Sequence, residues 1–283
     1  MSELSTPVRR RRVSLEPCER PWNAVEIDEA AQKVDLPGLV HALLAGTHRG
    51  RPGAPLAIKQ LAVERLLIHH HRAPRRRFRI AMALTAHTES VARQVGCPLL
   101  AGFWPEEGDA VIERWLALAE DDDWEVREWA AGMGATLLEE DYEAIRERFS
   151  TLIPHGSARV ARAIAVAVRG ALDSRRPERV DGFLDLLEPL MEEEDLVVRK
   201  ILGTYVLGDG VLRVYPRATL TRMKSWARRT NWVIRWNIAM ALSTPTARQH
   251  VRRAIPILKG MSRVEPQVDR AVMRAHNNLQ AGQ

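Results

Sequence analysis

The amino-acid sequence predicts an all-α fold: a right-handed solenoid of about seven two-helix repeats. Two observations lead to this prediction. A basic residue recurs at intervals of 34 to 37 residues along most of the chain, and the segments between these positions carry apolar residues at helical spacing. The alternation of apolar and polar residues that marks a half-buried strand is missing over strand length, so no segment requires a sheet.

The recurring basic residue defines the repeat. Successive copies are separated by 34, 34, 35, 37, 36 and 35 residues. A period in the mid-thirties holds two helices and two turns, and it is typical of HEAT-like solenoids, in which neighbouring repeats bury each other's apolar faces. We therefore expect each basic residue to lie in the second helix of its repeat. The seven positions are Lys59, Arg93, Arg127, Arg162, Arg199, Arg235 and Arg270.

The first helices of three repeats are also visible in the sequence, as apolar residues at helical spacing bounded by Gly or Pro. These segments are residues 109–120, 177–191 and 215–229. Acidic residues at 121–123 and 192–195, and Asn231 in the sixth repeat, stand where the next helix begins. Such side chains accept hydrogen bonds from unpaired amides, and negative charge there complements the helix dipole. We interpret them as helix caps rather than catalytic groups.

The charge of the chain points to an anionic partner. The chain has 42 Lys and Arg against 36 Asp and Glu, a formal net charge of +6 and a pI near 9.8. Nucleic acid is such a partner, although a net charge of this size also occurs in proteins that bind no anion. Hydrophobic residues, 46% of the chain, suffice for one continuous domain over residues 21–283. Residues 1–20 contain Arg9 to Arg12 and are predicted to form a disordered basic tail.

Cysteine usage and hydropathy exclude several classes of protein. The only two cysteines, Cys18 and Cys97, cannot build a disulfide framework or a four-cysteine zinc site. His69, His70 and His71 lie about 100° apart on a helix, so they cannot converge on one metal, and we interpret them as a solvated basic face. The sequence has no Gly-rich phosphate loop, nucleophile elbow, membrane-length apolar run or signal peptide. We expect a cytoplasmic monomer without metal or cofactor.

Arginines and tryptophans near the start of the second helices are the candidate functional residues. The arginines are Arg93, Arg127, Arg162, Arg199 and Arg235. A ladder of arginines could follow a DNA backbone, because each phosphate contact releases counterions. The same position suits an arginine that pairs with an acidic cap of a neighbouring repeat, and both interpretations stay open. Trp124 and Trp232 begin second helices, where they could stack on a base. Trp115 and Trp226 lie in apolar stripes and are predicted to be core.

Several short stretches are similar to a known repeat family. They are Trp124-Glu125-Val126-Arg127-Glu128, residues 195–203, residues 231–242, and Val198-Arg199-Lys200 followed by Tyr215-Pro216, Trp226 and Arg235-Trp236. Together they resemble the HEAT-like repeats of the bacterial DNA alkylation-repair proteins, a family of alkylpurine DNA glycosylases. The resemblance covers residues 105–245.

The resemblance implies an enzyme that binds alkylated duplex DNA and releases cationic N-alkylated purines in base-excision repair. In the family a carboxylate supports the developing oxocarbenium ion and positions water, while aromatic side chains contact the lesion. Trp124 and Glu128 match the one-turn spacing of the family's tryptophan and carboxylate, and Arg162 follows one repeat later. Tyr205 is the candidate for the second aromatic contact. Alignment by the repeat instead puts Arg127 at the carboxylate position.

Two other functions stay open. The chain is alternatively a DNA-binding repeat protein without catalysis, in which the arginines bind the backbone and Glu128 is a surface or capping group. The third candidate is a protein-binding scaffold, since solenoids present extended surfaces and often act without chemistry.

Overall fold

The computed structural model describes residues 22–48, 51–52, 54–261 and 264–281. The predicted basic tail and Cys18 lie outside these ranges. The chain groups into two compact units, Met1–Arg72 and Ala73–Gln283, and the predicted domain at residues 21–283 covers part of the first and all of the second. Within the described ranges, no helix is both long enough and apolar enough to cross a membrane.

The described part of the first unit contains three helices and one very short strand pair. The helices are α1 (Ala24–Lys33), α2 (Leu36–Leu44) and α3 (Leu56–His70). Between α2 and α3, strands β1 (Thr47–His48) and β2 (Arg51–Pro52) pair antiparallel. This pair was not expected from the sequence, because strands of two residues are too short to produce an alternating pattern. Apart from it, the all-α prediction is confirmed for the described residues.

The histidine run at the end of α3 differs from its predicted solvated face. His70 is buried, and its Nε2 lies 2.9 Å from the carbonyl oxygen of Ala31. His69 Nε2 lies 2.9 Å from a carboxylate oxygen of Asp28. His71 is exposed. The prediction was wrong for His70 because consecutive helical residues point in different directions, and one of the three turns into the contact between α3 and α1.

The second unit is a succession of helices linked by short loops. Its α-helices are α4 (Pro74–Thr85), α5 (Ser90–Ala101), α6 (Trp104–Ala119), α7 (Trp124–Glu140), α8 (Tyr142–Leu152), α9 (Ala158–Gly170), α10 (Val180–Leu190), α11 (Leu196–Ile201), α12 (Leu212–Val214), α13 (Pro216–Trp226), α14 (Trp232–Leu242), α15 (Val251–Lys259) and α16 (Pro266–Gln280). Short 3-10 turns at Pro177–Arg179 and Pro245–His250 precede α10 and α15. A π-helical segment, Leu202–Val211, continues α11 into α12.

Helices of the second unit contact their counterparts about one sequence period away. Helix α5 packs on α7, and α7 packs on α9. Helix α9 packs on α11 and on the π-helical segment. The π-helical segment packs on α14, and α14 packs on α16. These helices form a second-helix row, because they hold the recurring basic residues. A first-helix row is formed in the same way by contacts of α4 with α6, α8 with α10, α10 with α13 and α13 with α15.

Three of the predicted helix caps are confirmed. The side chains of Asp123, Asp195 and Asn231 accept hydrogen bonds from backbone amides two residues further on, at the starts of α7, α11 and α14. Each satisfies an amide that has no partner inside its helix. The three second helices therefore begin at positions that can be read from the sequence.

The two tryptophans predicted to be core are buried. Trp115 of α6 stacks on Phe149 of α8 with ring centroids 4.7 Å apart, and its Nε1 donates to the carbonyl oxygen of Ala130 in α7 at 2.8 Å. Trp226, at the end of α13, is 1% exposed. Because both indoles are buried, neither is available to a ligand.

Two glycines allow the π-helical segment to approach α14 closely. A Cβ on Gly203 would lie 2.8 Å from Met240 Cβ, and a Cβ on Gly208 would lie 2.5 Å from Thr244 Cγ2 and 2.9 Å from the carbonyl oxygen of Ala241. Hydrogen bonds from residue i to i+5 define a π-helix, so residues five apart return to nearly the same side. Both glycines therefore face α14.

We predict that Gly208→Ala destabilises the protein by about 1–3 kcal/mol, because the added methyl group overpacks the contact with α14. Gly132→Ala in α7 is the matched control. A Cβ there would meet nothing within 4 Å, so alanine should be neutral or stabilising by up to about 1 kcal/mol through helix propensity. Denaturant unfolding of both variants measures the difference; equal free energies of unfolding would contradict the close-packing account.

Candidate functional site

The structure brings Glu128 and Arg162 together. Glu128 lies in α7 and Arg162 in α9, and an Arg162 Nη2 hydrogen bond to Glu128 Oε1 joins these neighbouring second helices. Both side chains are partly exposed. A partly exposed pair of this kind keeps a carboxylate fixed in direction while leaving one face of it open to a ligand.

Trp124 stands one helical turn before Glu128. It is the first residue of α7, and 63% of its surface is exposed. Residues four apart on a helix lie on the same face. The face of α7 that carries Glu128 therefore also carries a large exposed aromatic ring.

Asp123, which caps α7, adds a fixed negative charge beside Trp124. Burial raises the pKa of its carboxyl group, but hydrogen bonds from Ser90 and from the backbone amides of Glu125 and Val126 outweigh burial, so the net pKa lies below its ordinary value. Asp123 is thus ionised at neutral pH. This charge complements the positive end of the α7 dipole.

Arg93 is engaged within the fold. Its guanidinium binds both carboxylate oxygens of Asp121, at 2.7 and 3.0 Å, and donates to the carbonyl oxygens of His87 and Thr88 at 2.8 and 2.7 Å. Asp121 belongs to the loop of the next repeat. The arginine therefore closes the loop before its own helix and ties it to the next one.

Arg127 and Arg235 repeat this arrangement. Arg127 Nη1 donates to the carbonyl oxygens of Asp121 and Asp122 at 2.6 and 2.9 Å. Arg235 Nη2 donates to the carbonyl oxygen of Thr230 at 2.9 Å and to Glu265 Oε1 at 2.7 Å. Arg235 is only 5% exposed, which leaves little of its guanidinium surface for a phosphate. At Arg93 and Arg235 the geometry matches the predicted pairing with an acidic residue of a neighbouring repeat, whereas Arg127 contacts carbonyl oxygens of the loop before its own helix.

Arg199 has a different environment. Its guanidinium carbon lies 4.7 Å from the ring centroids of both Trp232 and Trp236, and its Nε is buried without a hydrogen-bond partner in the described part of the chain. Cation–π attraction holds the arginine against the two indoles. A base stacking on Trp232, as the sequence predicts, would have to share that ring with Arg199.

Tyr205 is paired with an arginine that the sequence analysis did not single out. Tyr205 lies in the π-helical segment and is 42% exposed. The guanidinium carbon of Arg169 lies 3.8 Å from its ring centroid, and Arg169 Nε donates to its carbonyl oxygen at 3.1 Å. Arg169 follows Arg162 by seven residues, so both lie on one face of α9. That spacing places Arg169 on the face of Arg162, but it gives no indication of the contact with Tyr205.

The described residues contain no group of three or more His, Cys, Asp or Glu side chains arranged to hold a metal ion. The described thiol, Cys97, is buried, and burial raises its pKa far above the ordinary value. The arrangement around Glu128 therefore offers a carboxylate, a guanidinium and an aromatic face as its chemical groups.

Comparison with known proteins adds little to this geometry. No family model and no curated protein matches the chain. A crystal structure of an engineered protein is similar over 73% of this chain and 99% of its own, at 20% sequence identity and a TM-score of 0.30. A likeness at this score bears on neither the fold nor the function of the present chain.

We predict that Arg93→Gln lowers the free energy of unfolding by about 3 kcal/mol, since it leaves a largely buried carboxylate and two loop carbonyls without their charged donor. Arg146→Gln is the control, because Arg146 pairs with Glu143 in an exposed i,i+3 pair and such pairs contribute at most about 1 kcal/mol. Denaturant unfolding compares the two; a loss no larger than that of the control would refute the structural role of Arg93.

Proposed function

We propose that the chain is a right-handed solenoid of about seven HEAT-like two-helix repeats, acting in the cytoplasm. Three features of the second unit support this proposal. The recurring arginines lie near the starts of second helices, the helices form two rows of contacts at about one period, and Arg93 and Arg235 connect successive repeats. The regular interval of the basic residues thus corresponds to one pair of helices per repeat.

We further propose that the protein binds duplex DNA and excises cationic N-alkylated purines. The observation that supports this best is the Glu128–Arg162 pair beside the exposed Trp124, since the resemblance to the alkylation-repair family assigns the catalytic carboxylate, the arginine and a lesion-contacting aromatic to these three positions. In this proposal Tyr205 and Arg169 extend the same surface along α9 and the π-helical segment.

The chemistry that these groups can support is hydrolysis of an N-glycosidic bond. As the bond between C1′ and the purine nitrogen breaks, its electron pair neutralises the cationic base, so no strong acid is required. Positive charge moves to the sugar as an oxocarbenium ion, which the carboxylate of Glu128 stabilises electrostatically. Water adds to C1′, and its proton passes to Glu128 and then to solvent. The face of Trp124 attracts the cationic base before it leaves.

Arg162 has two roles in this proposal. Its hydrogen bond orients the carboxylate of Glu128, and its remaining donors are available to a phosphate flanking the lesion. Loss of Arg162 should therefore affect both binding and base release, whereas loss of the Glu128 charge should affect base release alone.

The second candidate is a DNA-binding or protein-binding repeat protein without catalysis. It is favoured by the pairing of Glu128 with Arg162, because an arginine that neutralises the carboxylate weakens its attraction for an oxocarbenium ion. In that case the pair is a link between α7 and α9, like the arginine–carboxylate links at Arg93 and Arg235. Base release distinguishes the two candidates.

We predict that the purified protein releases methylated purine from alkylated duplex DNA faster than heat-killed protein, and that Glu128→Gln lowers this rate by about 10²–10³ while DNA affinity changes less than twofold. Arg162→Ala should lower both. Glu139→Gln, an equal charge change at the exposed C-terminal end of α7, is the control and should match wild type.

The outcomes separate the candidates. Release at the wild-type rate by Glu128→Gln would remove Glu128 from the mechanism. No release by the wild-type protein, with salt-sensitive DNA binding retained, would establish the non-catalytic DNA-binding candidate. If the wild-type protein neither releases base nor binds DNA, the protein-binding scaffold is the remaining candidate.

A further inference from the structure

Positive charge is concentrated in one part of the chain. Residues 210–264 contain twelve Lys and Arg and no Asp or Glu, whereas the whole chain has a net charge of only +6. The remainder of the chain is therefore net acidic. Such a separation of charge is typical of a surface that meets an anion.

Part of this basic segment forms a groove between α13 and α15. The groove has a volume of about 500 Å³. Its lining residues are Arg217, Leu220, Thr221, Lys224, Arg252, Arg253, Pro256 and Ile257. We call it the α13–α15 groove. The lining contains four cationic side chains and no carboxylate, and the four cationic residues are exposed.

The opposite side of α13 shows how this fold treats arginines that serve packing. There Arg222 binds Asp185 and Glu188 of α10 at 2.7 and 3.1 Å, and Arg229 also pairs with Glu188. Burial raises the pKa of Glu188, but its pairing with the guanidinium groups of Arg229 and Arg222 outweighs burial and leaves the pKa below its ordinary value. Cation and carboxylate are matched at this contact.

In the α13–α15 groove the cations are not paired with carboxylates in this way. Within the described residues, no side-chain nitrogen of the groove's four cations lies in an ion pair with a carboxylate. Instead, cations of α13 and of α15 line the same groove, and like charges repel each other. An anion in the groove would remove this repulsion and would complete the pairing that the fold achieves elsewhere.

The form of the groove favours a phosphate backbone over an acidic protein. Arg217 and Lys224 are seven residues apart on α13, about 10 Å along the helix axis, which corresponds to about three nucleotides of rise on one DNA strand. Leu220 and Ile257 are buried, so a protein partner would find few of the apolar anchors that dominate protein–protein binding. Binding of a nucleic-acid backbone requires only the positive charges of the groove.

We propose that the α13–α15 groove binds the phosphodiester backbone of DNA. It lies in the first-helix row, whereas Glu128 and Arg162 lie in the second-helix row, so it is a separate contact surface. The inference rests on the DNA binding in the proposed function, but not on catalysis. In this role Arg252 and Arg253 each replace one condensed counterion when DNA binds.

The test compares two double variants of equal charge on an undamaged DNA duplex. Arg252→Gln/Arg253→Gln removes two groove cations; Arg146→Gln/Arg148→Gln removes two arginines of α8 that pair with Glu143 and Asp109. We expect the groove variant to reduce the slope of log affinity against log salt by about 2, and to weaken binding at low salt about tenfold. The control should stay within about twofold of wild type. Lys224→Gln, with an expected slope change of about 1, provides a second groove variant if the first unfolds.

Three results would overturn the inference. If the groove variants bind DNA like the control, the groove is not a DNA surface, while the proposed function stands. If the wild-type protein does not bind DNA at all, the proposed function fails as well. If polyglutamate binds in a groove-dependent manner and DNA does not, the partner is an acidic protein.

Discussion

The second unit depends on the way in which guanidinium groups close the loops between its helices. The carbonyl groups of a tight interhelical turn have no partners within either helix, and each needs a donor. Arg93, Arg127 and Arg235 supply donors from the first turn of the helix that follows, reaching back five or six residues. Because Arg93 and Arg235 also bind a carboxylate of the next loop, the same side chain shapes one repeat and attaches it to its neighbour.

Arg162 and Arg199 occupy the same place in the repeat but contact other groups. Arg162 binds a carboxylate on the exposed face of α7, and Arg199 lies against two indole rings. The departures from the loop-closing pattern fall in the middle of the chain, where exposed aromatic residues also occur. A residue type that is retained for structure elsewhere is thus available for recognition here, and this is the physical basis for locating the proposed DNA surface at α7, α9 and the π-helical segment.

The helical repeat was predictable from the sequence because it leaves periodic signals. The interval of the basic residues, the caps at Asp123, Asp195 and Asn231, and the buried Trp115 and Trp226 all follow from local rules of helix formation and apolar spacing. The group that each arginine side chain contacts was not predictable, since loop closure and phosphate binding require the same residue type at the same position. The burial of His70 and the contact of Arg169 with Tyr205 depend on packing between helices, which no spacing within one helix reveals.

The π-helical segment has a consequence for how the repeat tolerates changes in length. Arg199 and Arg235, which flank it, are 36 residues apart, compared with 34 for each of the first two intervals and 37 for the interval just before it. In an α-helix each additional residue would rotate everything beyond it by about 100° and turn buried side chains towards solvent. The wider turns of the π-helical segment Leu202–Val211 accommodate extra residues locally. The helices that follow therefore keep the same faces towards the core. Insertions can therefore be accommodated in this segment without changing the orientation of the repeats on either side.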